Sequence, residues 1–148
     1  MHSLWAPNAA DEMLARLDRL TPDTKARWGR FTCPDMVAHL NESMRMALGD
    51  ITPATKKLSL RFFPLKQLII YVVPFPKGAP TAPELIARSG RAVWAEELTT
   101  FHELMARLAT RSGDTTWPSH PAFGSMNRRS WGVLGHKHLS HHFTQFGV

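Results

Sequence analysis

At 148 residues the chain has the length of one domain with room for a proper hydrophobic core. Its 43% hydrophobic residues, with five Trp and eight Phe, exclude a disordered polypeptide, and the single Cys33 excludes an internal disulfide framework and fits a reducing cytosol. A net charge of +6 and an isoelectric point near 10.1 raise the question of nucleic acid, but the cations are dispersed and no RNP pattern, helix-turn-helix signature or zinc finger is present, so the expectation is solvated basic surface and no nucleic-acid partner.

In chain order, the opening His2-Ser3-Leu4-Trp5-Ala6-Pro7 lacks the basic segment and apolar run of a secretory signal, so a cytoplasmic location is expected. Asn8 predicts the cap of a first helix over about residues 9–20, where Met13, Leu14, Leu17 and Leu20 recur at three- and four-residue intervals. Thr32-Cys33-Pro34-Asp35 opens a second helix with a Thr cap, a proline in the first turn where its missing N–H costs nothing, and an acid three residues on. That helix should run to Leu48 and stop at Gly49.

The stretch from Leu60 to Pro76 is apolar enough to suggest a membrane. Arg61, Lys66 and the prolines leave its longest unbroken apolar run well short of the ~20 residues a spanning helix needs, so no membrane partner is expected. A short buried helix over residues 65–73, or a dimer-contact surface, is the reading, ended by Pro74-Phe75-Pro76-Lys77-Gly78; the β-branched content also permits a strand. A long helix begins near Ser89-Gly90 and continues to about Arg111, with Trp94, Leu98, Phe101, Met105 and Leu108 in one stripe. Pro and Gly punctuation marks ordered loops over residues 78–83 and 114–123. The last helix spans about 128–146, capped by Ser125 or Asn127 and ended by Gly147. No repeat or second-domain boundary appears, so residues 1–148 form one domain, expected to be an all-α antiparallel helical bundle.

The chemistry concentrates in Gly135-His136-Lys137-His138-Leu139-Ser140-His141-His142. His138 and His142 stand four residues apart, so on a helix they lie about 40° apart around the axis and one turn along, where their nitrogens can converge on one ion. At about 100° per residue they share a face with Trp131, Gly135 and Leu139, while His141 falls at its edge as the alternate ligand and His136 points backward. Bundles commonly build metal sites from facing helices, so a third ligand should come from another helix. His39 sits at the edge of its helix's apolar face, His102 lies about 100° off its stripe, His120 precedes Pro121 in a loop and His2 is near the start; His39 leads narrowly. Structural histidines in a noncatalytic bundle that binds a ligand or partner remain the alternative.

The block Arg27-Trp28-Gly29-Arg30-Phe31-Thr32-Cys33-Pro34-Asp35-Met36-Val37-Ala38-His39-Leu40, the loop His120-Pro121-Ala122-Phe123-Gly124 and a tail with His138-x-x-x-His142 before Gln145 resemble the DinB/YfiT-like superfamily, over essentially the whole chain from about Pro7. Within it they look closest to a branch of bacterial domains of unknown function. The resemblance implies an antiparallel four-helix bundle, here with an additional short helix or apolar segment before the Trp94 helix, often dimeric. It also implies a divalent ion, usually zinc or nickel, on three histidines, which by matching position are His39, His138 and His142. Phe143 stands where many relatives carry Arg, and His141 adds an imidazole.

Three neutral imidazoles leave coordination positions open, as catalytic sites do, and such an ion lowers the pKa of water or a thiol. Characterised relatives include thiol-dependent transferases and isomerases. The resemblance therefore implies a metal-dependent enzyme of S-transferase or hydrolase type, a homodimer, acting on a small molecule and using a low-molecular-weight thiol in the first case. Glu42, His120 and His141 are the candidate catalytic proton carriers, and Asp35, Asn41, Glu42 and Gln145 the candidate acceptors for the ligands' remaining N–H groups. Cys33, with no triad pattern around it, is expected to be a buried small residue rather than a nucleophile.

Overall fold

Five helices make up most of the regular structure among the residues that the computed structural model describes, which are 2–55, 59–78, 81, 83–86 and 90–148. They are α1 (Ala9–Leu17), α2 (Cys33–Leu48), α3 (Leu65–Tyr71), α4 (Trp94–Arg111) and α5 (Arg128–Gln145), with single 3-10 turns at Ser59–Arg61 and Pro83–Ile86. Among the described residues there is no strand, only an isolated bridge between His120 and Gly124. The architecture is all-α.

The start of α2 follows the cap written in its sequence. Thr32 is extended, accepts a hydrogen bond from the Asp35 N–H at 3.2 Å and donates its hydroxyl to Asp35 Oδ2 at 2.8 Å. The other carboxylate oxygen accepts from the Gly90 N–H at 2.7 Å, which ties this helix end to the chain entering α4. The helix stops at Gly49, whose φ of 83° is the left-handed conformation that side-chain-bearing residues avoid.

Helix α2 packs on α4 and α5, α1 packs on α4 and α5, and α3 lies on α5. Met13 and Leu17 of α1, Met36 and Leu40 of α2, Phe101 of α4 and Phe143 of α5 meet in one fully buried cluster. Each such side chain contributes about 1.5–3 kcal/mol on burial. Both α2 and α5 are covered on nearly every side. The N-terminal residues lie across α5, with the Leu4 N–H bonded to the Gly132 carbonyl at 3.0 Å, while Ser3 and Trp5 fill the space a side chain on Gly132 would take. That cover buries His136, which stacks on His2 at 5.2 Å, so the backward-pointing side of this helix is not its solvent side.

Several boundaries differ from expectation. Helix α1 ends at Leu17, and Leu20 is buried from the turn that follows. Asn8 caps with its backbone carbonyl alone, at φ 64° and with no side-chain bond, while Asp11 and Glu12 in the first turn complement the helix dipole. Helix α4 begins at Trp94 because Gly90 takes φ 76° and turns its N–H to Asp35; Ser89 lies outside the described residues. Asn127, not Ser125, caps α5, accepting from the Ser130 N–H at 2.9 Å.

The apolar segment after Leu60 is α-helical only over α3, and of the two expectations for it the buried helix is not met. Ile70 alone in α3 is buried, and Phe62, Phe63 and Val72 are 70%, 81% and 70% exposed. No described helix is long and apolar enough to cross a membrane.

Candidate metal centre

His39 projects from α2, and His138 and His142 from successive turns of α5, which packs against it. One ring nitrogen from each lies within 4.8 Å of the others, a group that could hold a metal ion. Ring centroids are 5.0 Å apart for His39 and His138, 4.9 Å for His39 and His142, and 4.8 Å for His138 and His142.

Two of the three rings have their tautomer fixed from outside the cluster. His39 Nδ1 lies 3.0 Å from the Leu85 carbonyl, which can only accept, so Nδ1 carries the hydrogen and Nε2 a lone pair. Gln145 Nε2 donates to the Trp28 carbonyl at 2.7 Å, which turns the amide oxygen to His142 Nδ1 at 2.8 Å, so this ring too presents Nε2 as a lone pair. Backbone-carbonyl and amide acceptors on the far nitrogen are the usual orienting partners of metal-binding histidines.

His39 Nε2 faces His138 Nε2 at 3.0 Å. Two lone pairs cannot approach so closely unless His138 supplies a proton or a cation is shared. Tetrahedral zinc with Zn–N of about 2 Å separates its ligand nitrogens by about 3.3 Å, a few tenths more than this. Donor identity, the tautomers of His39 and His142, and the His39–His138 spacing therefore fit a divalent ion.

Burial, opposed by the Leu85 hydrogen bond, lowers the His39 pKa to about 4. His142 is lowered to about 3 by burial and then by the neighbouring charge of His39, with Gln145 opposing. His138 is held well below 6.5 by burial and then by His142 and His39. All three are neutral near pH 7, the form that ligates a metal. Phe31 stacks on His39 at 5.3 Å and meets His142 edge-on at 5.8 Å, and Phe75 meets His138 at 6.1 Å.

The cluster opens on a cavity of about 590 Å³ walled largely by aromatic and aliphatic side chains, among them Trp28, Phe31, Phe75, Trp117 and Trp131. His120 and His141 also line it. His141 is half-buried, edge-on to His142 at 5.2 Å, with its pKa lowered by burial.

His120 is held differently. Its backbone exchanges two 2.8 Å hydrogen bonds with Gly124, and its Nδ1 accepts from the N–H groups of Ala122 and Phe123 at 3.1 and 3.3 Å. Its hydrogen is therefore on Nε2, and burial, then the charges of Lys66 and Arg61, lower its pKa to about 4. At neutral pH this ring is a fixed hydrogen-bond donor.

The remaining candidates stand elsewhere. Glu42 pairs with Arg45 at 3.6 Å and is not part of the cavity wall. Asp35 is engaged by Thr32 and Gly90, and Asn41 donates to the Glu97 carboxylate and carbonyl at 2.8 and 3.0 Å; both join α2 to the α4 region. His102 is exposed on α4. Cys33 is buried, and burial pushes its thiol up to about 12, so no thiolate is available there. The Leu85 and Trp28 carbonyls, which orient two of the three rings, carry no side-chain signature and could not be found from sequence.

No curated protein and no solved structure matches the chain. Residues 5–147 match the family described as "Protein of unknown function (DUF1569)", and the chain belongs to that family.

Proposed function

We propose that the chain is a metal-dependent enzyme of the DinB/YfiT-like kind, in which His39, His138 and His142 hold one zinc or nickel ion beside a cavity that admits a small molecule. On this reading α1, α2, α4 and α5 form the four-helix bundle and α3 is the additional element. The observation that carries the proposal is the convergence of three buried or half-buried imidazoles within 4.8 Å, two of them already oriented through Nδ1. A bound divalent ion would supply Lewis acidity and bring a water or thiol toward deprotonation at neutral pH.

This chain's residues supply the rest. The ligands bring no charge, so they would leave the ion electrophilic, and the aromatic walls give the cavity a largely apolar lining. His141, half-buried on the wall and, among the described residues, without a fixing partner of the kind that locks His120, is the proposed proton carrier. His120 is a hydrogen-bond donor to a substrate oxygen, and Glu42 acts at most from outside the cavity. Reactions of hydrolase or S-transferase type use these parts.

The test is a screen of hydrolytic and thiol-transfer substrates with zinc- and nickel-supplemented protein, run beside His138→Ala. Activity that requires the metal and disappears in a folded His138→Ala protein is expected. A second reading, a noncatalytic bundle that binds an apolar ligand, draws support from the 3.0 Å His39–His138 contact, which a single proton on His138 would satisfy. Equal melting temperatures with and without either metal would favour it.

A further inference from the structure

All twelve Asp and Glu side chains fall outside two stretches of the chain, residues 51–83 and 115–148. Those stretches carry Lys56, Lys57, Arg61, Lys66, Lys77, Arg128, Arg129 and Lys137, eight of the eighteen cations, and no Asp or Glu. They also build much of the cavity, contributing Ile69, Phe75, His120, Trp131, His138 and His142 to its wall. The cations are dispersed along the chain, but the Asp and Glu residues are confined to its other parts.

No Asp or Glu lines the cavity, and Arg30 is the one formally charged side chain that does, among the described residues. Two further ammonium groups sit over rings of the wall: Lys77 Nζ is 4.5 Å from the centroid of Trp28, and Lys137 Nζ is 5.0 Å from that of Phe75. The polar groups on the wall are few and mostly engaged. The Ser43 hydroxyl is bonded to the His39 carbonyl, and Gln145 uses both ends of its amide. His120 Nε2–H is a donor for which the described residues supply no acceptor.

We infer that the cavity binds a largely apolar molecule carrying a single anionic group, its body against the indole and phenyl walls and its anion toward the three-histidine cluster. The inference rests on the proposed metal reading in one respect: three neutral ligands leave a divalent ion's charge unbalanced, and a desolvated, uncompensated charge is costly unless the ligand brings an anion. The carboxylate-free walls act in the same direction without the ion, because a low-dielectric cleft lined by one sign of charge concentrates the opposite sign. A thiol rich in amides, ammonium and carboxylate groups finds few partners for them here. The small-molecule expectation thus narrows to apolar acids and apolar thiols that ionise at the cluster.

Naphthoate, naphthalenemethanol and naphthylmethylammonium share a body and differ in charge, while acetate and glutathione supply an anion without the apolar body. Binding to zinc-treated wild-type protein is read by quenching of tryptophan emission and by calorimetry, with zinc content measured on the same samples. Naphthoate is expected to bind at least about tenfold more tightly than the alcohol, with the ammonium probe, acetate and glutathione weaker than either. Equal affinities for the three naphthyl probes, preference for the ammonium, or tighter binding of glutathione than of naphthoate would overturn the inference. Protein that takes up zinc but ignores probe charge loses this inference and keeps the metal reading. Protein that takes up no zinc yet prefers naphthoate keeps the anion preference of the walls and loses the metal.

Discussion

Gln145 holds His142 and the Trp28 carbonyl at once, accepting from one at 2.8 Å and donating to the other at 2.7 Å, so a single amide fixes both the tautomer of a candidate ligand and the loop that passes over it. The loop comes this close because Gly29 takes φ 82° and has no side chain; a Cβ there would stand 2.6 Å from the Gln145 amide nitrogen. Gln145→Ala should lower zinc affinity about 10- to 100-fold, the usual cost of losing such an orienting partner. Gly29→Ala should reproduce part of that loss. Competition against a chelator of known affinity, with circular dichroism to verify the fold, measures both; unchanged affinity in Gln145→Ala would remove its orienting role.

His120 gives a prediction that separates a donor from a base. Its Nδ1 is committed to the Ala122 and Phe123 N–H groups, so nitrogen NMR should report the Nε2–H tautomer at pH 7 with no titration down to about pH 5. His120→Ala strands two backbone donors in a half-buried loop and should cost about 1–3 kcal/mol, read as a lowered melting temperature. A His120 that titrates near 6.5 would contradict the geometry.

The metal-free protein should lose stability in mild acid. His39 and His120 are held near 4 and His142 near 3 in the folded chain, against an ordinary value of 6.5 once unfolded. Between those values the unfolded chain binds more protons, so stability is fully present above about 6.5 and declines as pH falls toward 4. From pH 7 to pH 5 the three groups together should remove on the order of a few kcal/mol, visible as a drop in melting temperature of several degrees. A flat profile over that range would mean that the rings are solvated.

Asn41 and Glu97 join α2 to α4 where both side chains are 0% exposed, through bonds of 2.8 and 3.0 Å. Asn41→Ala removes an amide that a buried carboxylate accepts from and should cost about 2–3 kcal/mol in denaturant unfolding. Glu42→Ala, one residue along, breaks only a partly exposed 3.6 Å ion pair and should cost less than about 1 kcal/mol. The reverse ranking would show that the interior pair does not hold these helices together.

The parts of this structure that were legible in the sequence are those governed by local chemistry. Thr32 and Asp35 form the cap their spacing describes, Asn127 caps α5, and His138 and His142 lie on successive turns beside His39. Helical-wheel reasoning was weakest where a helix has no solvent side. It placed His39 at the edge of a face and His136 behind one, yet both are buried, because neighbours enclose α2 and the N-terminal residues lie across α5. Apolar composition did not distinguish a buried helix from a surface one: in α3 only Ile70 is buried, and Phe62 and Phe63 just before it are exposed. Contacts made by backbone carbonyls, such as Leu85 on His39, leave no trace in residue identity.

The measurement that bears most directly on the account is the zinc content of the chain after equilibration with excess zinc and removal of free metal, compared between wild type and His39→Ala, His138→Ala and His142→Ala. One equivalent in the wild type, and a steep loss of affinity in each folded variant, is the predicted result. A wild-type chain that remains metal-free, or variants that keep the ion with undiminished affinity, would contradict it.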